Sequence, residues 1–223
     1  MKAVLVENRK IIKSVVRHLP DNLEGLLALI GQMRDELVED MLSAQIGGAG
    51  FAIAGIMDAP RRQMLDSPNI KYLNKQPVGD LLQQICQPVR IKIEHDVHCF
   101  LLAEKEVGLA RNLENIFYLT LGTGVGGALM IDGKIIFGAH GAAGEAGHMI
   151  IEAVAGLDLE DLASDKFVKK ELGIDAVEAE KRALGGEQAA KEVFERLGEN
   201  IGVGVANIIN IFDPEAIIIG GGI

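Results

Sequence analysis

A glutamate and a histidine three residues apart, Glu145 and His148, stand in the segment GAAGEAGHM among residues too small to block a ligand. A carboxylate accepts hydrogen bonds and a neutral imidazole both donates and accepts one, so the pair suits the hydroxyls of a polyol. Two polar residues of a glycine-rich loop can equally face water. Upstream, LGTGVGG gathers Gly122, Thr123, Gly124, Gly126 and Gly127 between two apolar runs. Glycine lets the backbone approach a bound group, and successive N–H groups with a hydroxyl can then point at phosphate oxygens. That composition describes a phosphate cradle, and also a plain glycine hairpin. No G-x-x-x-x-G-K-[ST] occurs, and a strand rather than a helix follows the turn, which separates it from the dinucleotide-binding fingerprint. Asp96 is the third candidate. It closes VRIKIEHD at the carboxyl end of a predicted strand, just before a predicted helix, where open α/β sheets place ligand-contacting groups. Aspartate is also a favoured N-cap, so capping is the competing role.

These residues need elements to hold them. From Ile116 to Ile151 the order is apolar strand, glycine turn, second strand, an Asp132-Gly133 hairpin turn, a short third strand and the segment with Glu145 and His148. Earlier, AVLVENRKIIKSVV reads as a β-hairpin, two β-branched runs joined by Glu7 to Lys10. Leu23, Leu26, Leu27, Ile30, Met33, Leu37 and Leu42 keep helical spacing from Asn22 to about Ser43. GFAIAGIMD predicts one buried strand, Val78 to Ile85 a short helix, and Val97 to Gly108 a helix closed by glycine. Leu157 to Leu172 and Gly186 to Phe212 predict helices, the second with Gly198 and Gly202 positioned for close packing of another element. Asp213-Pro214 stops that helix, and a last strand AIIIG runs into Gly220, Gly221 and Gly222. Strands and helices alternating in this way predict a mixed α/β sheet covered by helices.

Composition narrows the partners. A chain of 223 residues can bury a sizeable core, in one large or two modest domains. The formal charge of −10 repels phosphate backbones and argues against nucleic-acid binding by this segment. No apolar run approaches the ~20 residues of a membrane span, and Met1 to Pro20 lacks the apolar region of a signal peptide. Cys86 and Cys99 form no C-x-x-C pair, which suits a reducing, cytoplasmic location.

Taken together, LTLGTGVGG, the DGK turn, FGAHGAAGEAGHM, the upstream EHD and the terminal IIIGGGI resemble the ROK family (repressor, open reading frame, kinase) of sugar kinases and sugar-responsive regulators. The likeness runs over nearly the whole chain. It implies a two-domain, ribonuclease-H-like α/β fold of the actin-like ATPase and sugar kinase superfamily, with domains at about residues 1–110 and 111–223. It implies a glucokinase-like transfer of the γ-phosphate of ATP, with Mg²⁺, to a hexose hydroxyl, and it admits a homodimer. In that likeness Asp96 is the catalytic base, and Asn69, His95, Glu145, His148 and Glu160 contact the sugar. Gly122, Thr123, Gly124, Gly126, Gly220 and Gly221 contact the nucleotide. From the residues alone, Asn69 in SPN also fits a plain turn and Glu160 a solvated helix face.

The chain departs from the family pattern in four places. His95 stands where an asparagine usually precedes the aspartate. The zinc module, normally Cys-x-Cys-Gly-x-x-Gly-Cys shortly after the Gly-His pair, is replaced by AVAGLD, so no structural zinc is expected. The family's opening strand with its Asp-x-Gly-Gly-Thr phosphate turn precedes what AVLV resembles, and further elements follow GGGI. The expectation is therefore a chain truncated at both ends, inactive as given. A sugar-responsive transcriptional regulator and a non-catalytic sugar-binding remnant are the alternatives within the same resemblance.

Overall fold

The computed structural model describes residues 1–39, 41, 45–58 and 60–223. Their contacts divide the chain into two units, Met1–Asp96 and Val97–Ile223.

In the first unit, β1 (Lys2–Glu7) and β2 (Lys10–Val16) form an antiparallel hairpin. Asn8 and Arg9 turn it with φ of 49° and 64°, the left-handed pair whose twist matches flanking strands. Helix α1 (Leu23–Leu37) starts where the Asn22 side chain accepts the Gly25 N–H at 2.8 Å. It stops at Leu37, short of the predicted end, and Leu42 and Ser43 lie outside the described residues. The single strand predicted over GFAIAGIMD is two. Strand β3 (Ala49–Ile53) runs parallel to β6 (Ile91–His95), and Gly55, at φ 128°, turns β4 (Ile56–Met57) away to pair with β5 (Met64–Asp66). With α2 (Val78–Cys86) these elements enclose Leu26, Met57, Met64, Leu73, Leu82 and Ile93. Burial of side chains of that size is worth about 1.5–3 kcal/mol each. A groove of about 810 Å³ runs beside β1 and β3, touching every residue of β1 and so facing its free edge.

The second unit is organised by one strand, β7 (Ile116–Leu121), at the centre of a four-stranded sheet of order β12-β7-β8-β9. Strand β12 (Ala216–Gly221) is parallel to β7, while β8 (Val125–Ile131) and β9 (Lys134–Ile135) are antiparallel. Asp132 and Gly133, with φ of 50° and 70°, close the hairpin that their sequence predicts. Period-two alternation sends Phe117, Leu119 and Leu121 to one face and Ile116 and Tyr118 to the other. The first set packs on Leu129, Leu159, Ala163 and Ile208, the second on Val97, Leu101, Ala110 and Met130. A strand covered on both sides reads as the near-continuous apolar run IFYLTL. Helix α3 (Asp96–Val107) supplies the second cover, so the division falls at Asp96 rather than near Arg111, and α3 goes with the strand it buries.

The stretch 157–172 is not one helix. It is β11 (Leu157–Asp158) paired with β10 (Ile150–Glu152), then α4 (Leu159–Ala163) and α5 (Asp165–Leu172), separated at the buried Ser164. Helix α6 (Ala176–Leu184), absent from the sequence reading, precedes α7 (Gln188–Phe212). The close approach to α7 is not at Gly198 or Gly202, around which a Cβ would meet open space. It is at Gly204, where a Cβ would stand 2.7 Å from the Leu159 side chain. On α3, His98 is buried and lies edge-on to Phe137 at 5.3 Å. Cys86 and Cys99 form no disulfide, and among the described residues no helix is long and apolar enough to cross a membrane.

Candidate active site

The two glycine turns lie together. Strands β7 and β12 end side by side, Thr120 opposite Gly220 and Leu121 opposite Gly221, and the Gly222 N–H donates to the Leu121 carbonyl at 2.8 Å. Gly221 has φ 127°, and a Cβ there would overlap the Leu121 carbonyl, so this crossing admits only glycine. In the first turn the Gly122 N–H donates to the Gly124 carbonyl, and the Gly122 carbonyl accepts the Asp165 N–H, each at 2.9 Å. Among the described residues the N–H groups of Thr123 and Gly124 have no internal partner, which leaves two adjacent donors for an anion. Gly126 lies within β8 rather than in the turn. There a Cβ would stand 2.8 Å from Val97, so its smallness serves the packing of α3.

Glu160 is part of this turn and not a solvated face of α4. Its Oε2 accepts the Val125 N–H at 3.0 Å, and its Oε1 lies 2.5 Å from the Lys166 ammonium. The carboxylate rests against Gly124, where a Cβ would collide with it. Hydrogen bonding to Glu160 pushes the Lys166 ammonium above its ordinary value despite some desolvation, as a charge-assisted pair should. Asp165 anchors the next helix. Lys169 and the Ala176 N–H, donating to its carboxylate, hold the group below the usual aspartate range.

Glu145 and His148 flank a short 3₁₀ turn, Ala146–His148. Ala146 and Gly147 are buried, and Gly147 sits so close to β8 that a Cβ would overlap the Val125 carbonyl. The buried Ala146 and Gly147 thus fix the turn against β8. Glu145 is half-buried, and its carboxylate makes no hydrogen bond or ion pair with the described residues. His148 is exposed, with Nδ1 3.2 Å from Asp158 Oδ2. Asp158 escapes a reading based on isolated motifs. Its signal is the carboxylate three residues before Asp161, the spacing of a capping box, which the structure forms at the start of α4.

In the first unit, Asp96 follows β6 directly and begins α3. Its Oδ1 lies 3.4 Å from Nδ1 of His95, whose side chain is mostly buried while Asp96 keeps about a third of its surface exposed (37%). The strand end is held by Glu94, which accepts the His95 N–H at 2.9 Å and Arg61 at 2.6 Å. The Arg61 contact is not foreseeable from spacing, since Arg61 arrives from another loop. Asn69 is exposed on a loop fixed from inside: the Ser67 N–H donates to Asn74 at 2.7 Å and the buried Ser67 hydroxyl donates to the Ala54 carbonyl.

The chain matches the ROK family over residues 1–223. A glucokinase of Thermotoga maritima is 28% identical over 97% of this chain and 76% of its own length. A xylose repressor of Caldicellulosiruptor bescii is 28% identical over 90% of this chain and 57% of its own length. Among solved structures, a ROK family glucokinase from Streptomyces griseus in complex with glucose and AMPPNP superposes with a TM-score of 0.82 at 25% identity, covering 99% of this chain and 79% of that one. A ROK family protein from Streptococcus pneumoniae in complex with sucrose gives 0.79 at 27% identity, covering 96% and 73%. The chain therefore belongs to the ROK family and has the mixed α/β, actin-like fold of its sugar kinases.

Proposed function

We propose that the chain serves glucokinase-like transfer of the γ-phosphoryl group of ATP to a hexose hydroxyl. The observation that carries this reading is the doubled glycine turn at the carboxyl ends of β7 and β12, with the Thr123 and Gly124 N–H groups open to phosphate oxygens. Phosphoryl transfer asks a protein mainly to position reactants and stabilise charge. Backbone donors held by Asp165 and Gly222 supply both without side-chain motion. Among the described residues no group of three or more His, Cys, Asp or Glu could hold a metal ion, so Mg²⁺ would come with the nucleotide, bound largely by its phosphates. When bound it neutralises charge on the transferring group. Asp96 takes the proton of the sugar hydroxyl, and Asn69, His95, Glu145, His148 and Glu160 hold the sugar. Gly220 and Gly221 shape the nucleotide side, with Gly126 supporting the turn from within its strand.

The deciding test is sugar-dependent ATP turnover across a panel of hexoses and N-acetylhexosamines, using protein expressed from its complete reading frame. The xylose repressor match favours a second reading, a sugar-responsive regulator. Sugar binding without turnover on any of the panel would select that reading over the kinase. Glu145→Gln keeps the shape and removes the charge, and should weaken sugar binding about 10-fold, the worth of a hydrogen bond to a charged group. Unchanged sugar affinity by calorimetry would take Glu145 out of the sugar site.

A further inference from the structure

We propose that Asp158 does for His148 what a metal ion could do: it fixes the ring and its tautomer, so that Nε2 is presented as a hydrogen-bond acceptor. The importance of this for the sugar rests on the proposed contact by His148, whereas the pairing itself does not. The two oxygens of Asp158 have separate partners. Oδ1 accepts the Asp161 N–H at 2.8 Å and caps α4; Oδ2 lies 3.2 Å from His148 Nδ1. An ionised carboxylate can only accept, so the neutral ring must carry its proton on Nδ1, and Nε2 is left with a lone pair. The side chain of Asp158 is 20% exposed and that of His148 69%, so the carboxylate is the fixed member of the pair.

The backbone itself brings the two residues together. Strand β10 pairs with β11, placing Ile150 opposite Asp158, and the Leu159 N–H donates to the Met149 carbonyl at 2.9 Å. The turn between the strands is closed by Glu152, whose carboxylate accepts the Val154 and Ala155 N–H groups at 2.9 and 2.8 Å. This hairpin occupies the stretch after the Gly-His pair where a zinc module would be sought, and it contains no cysteine. Zinc needs three or four protein ligands in a structural site. The hairpin and the residues before it offer one imidazole, the Glu152 carboxylate committed to the turn and the Asp158 carboxylate committed to a helix cap, with no thiol, so the residues do not fit zinc.

Asparagine at position 158 separates the two duties of the aspartate. It caps helices as well as aspartate does, so its oxygen keeps the Asp161 N–H, while its NH₂ group replaces Oδ2 and can only donate toward Nδ1. The readout is a long-range ¹H–¹⁵N correlation of the imidazoles in ¹⁵N-labelled protein, with elemental analysis after purification without added metal. The parent protein should show neutral His148 protonated on Nδ1 and no stoichiometric zinc. Asp158→Asn should move the proton to Nε2 at an unchanged melting temperature and weaken sugar binding about 10-fold, the low end for loss of a partner that orients a histidine. Asp158→Ala should lower the melting temperature as well, because the cap goes with the partner. A parent His148 protonated on Nε2, a tautomer that Asp158→Asn leaves unmoved, or about one zinc per chain would overturn the proposal. A tautomer switch with unchanged sugar affinity would uphold the pairing and remove His148 from the sugar site.

Discussion

With Asp96 as the proposed general base, Asp96→Asn should lower kcat by ~10² to 10⁴ and leave sugar affinity close to that of the parent protein, because a general base acts mainly in the transition state. The loose transition state of phosphoryl transfer delays loss of the hydroxyl proton, so an aspartate can orient the hydroxyl early and accept the proton late. Asparagine keeps the first duty and abolishes the second. The substitution also separates catalysis from helix initiation: Asp96 begins α3, and asparagine serves a helix start equally well. A purely structural Asp96 would leave both melting temperature and kcat unchanged. Initial rates and sugar calorimetry on one preparation decide between them, and full activity would remove Asp96 from the chemistry.

What could be read in the sequence follows from how local each signal is. IFYLTL announces a strand covered on both faces, and Asp132-Gly133 a tight hairpin, because neither depends on distant residues. The glycines at 122–124 and 220–222 are legible one by one, but their adjacency is not, since it rests on parallel pairing of β7 with β12 between residues 100 apart in sequence, Ile116 with Ala216 through Leu121 with Gly221. Glu160 looks like a solvated helical residue because its partners are Lys166 and the backbone of Val125 in another element. The break of the 157–172 stretch at Ser164 was hidden by helical propensity on both sides. There the Ser164 hydroxyl donates to the Glu160 carbonyl at 2.6 Å, so its polarity is satisfied without exposure. Glycines of α7 mislead for the opposite reason. Ala190, Val193, Leu197 and Ile208 mark the buried stripe, and Gly204 continues it while Gly198 and Gly202 fall outside. The stripe, more than glycine content, carries the packing information.

That stripe leads to the largest stability effect. Leu159→Ala should cost ~2 to 5 kcal/mol, the range for emptying a fully buried leucine site. Leu159 has no exposed surface and packs in the core with Phe117, Leu119, Ala163 and Ile208. It also stands between Asp158 and Glu160, so the same anchor fixes the carboxylate beside His148 and the one beside Gly124. The partner surface is Gly204, and a matched series along α7 tests the contact. Gly198→Ala and Gly202→Ala add a methyl group in open space and should each stabilise by ~0.5 to 1 kcal/mol, the helix preference of alanine over glycine. Gly204→Ala gains the same preference but drives a Cβ to 2.7 Å from Leu159, and overpacking of that kind costs ~1 to 3 kcal/mol. Its net effect should be destabilising. In Leu159→Ala/Gly204→Ala the added methyl faces the space the leucine vacated, so the double variant should be more stable than the sum of the single losses predicts. Urea unfolding of the five variants measures all of this. Gly204→Ala as stabilising as Gly198→Ala, or strict additivity in the double variant, would mean that α4 is not held against α7 through this contact.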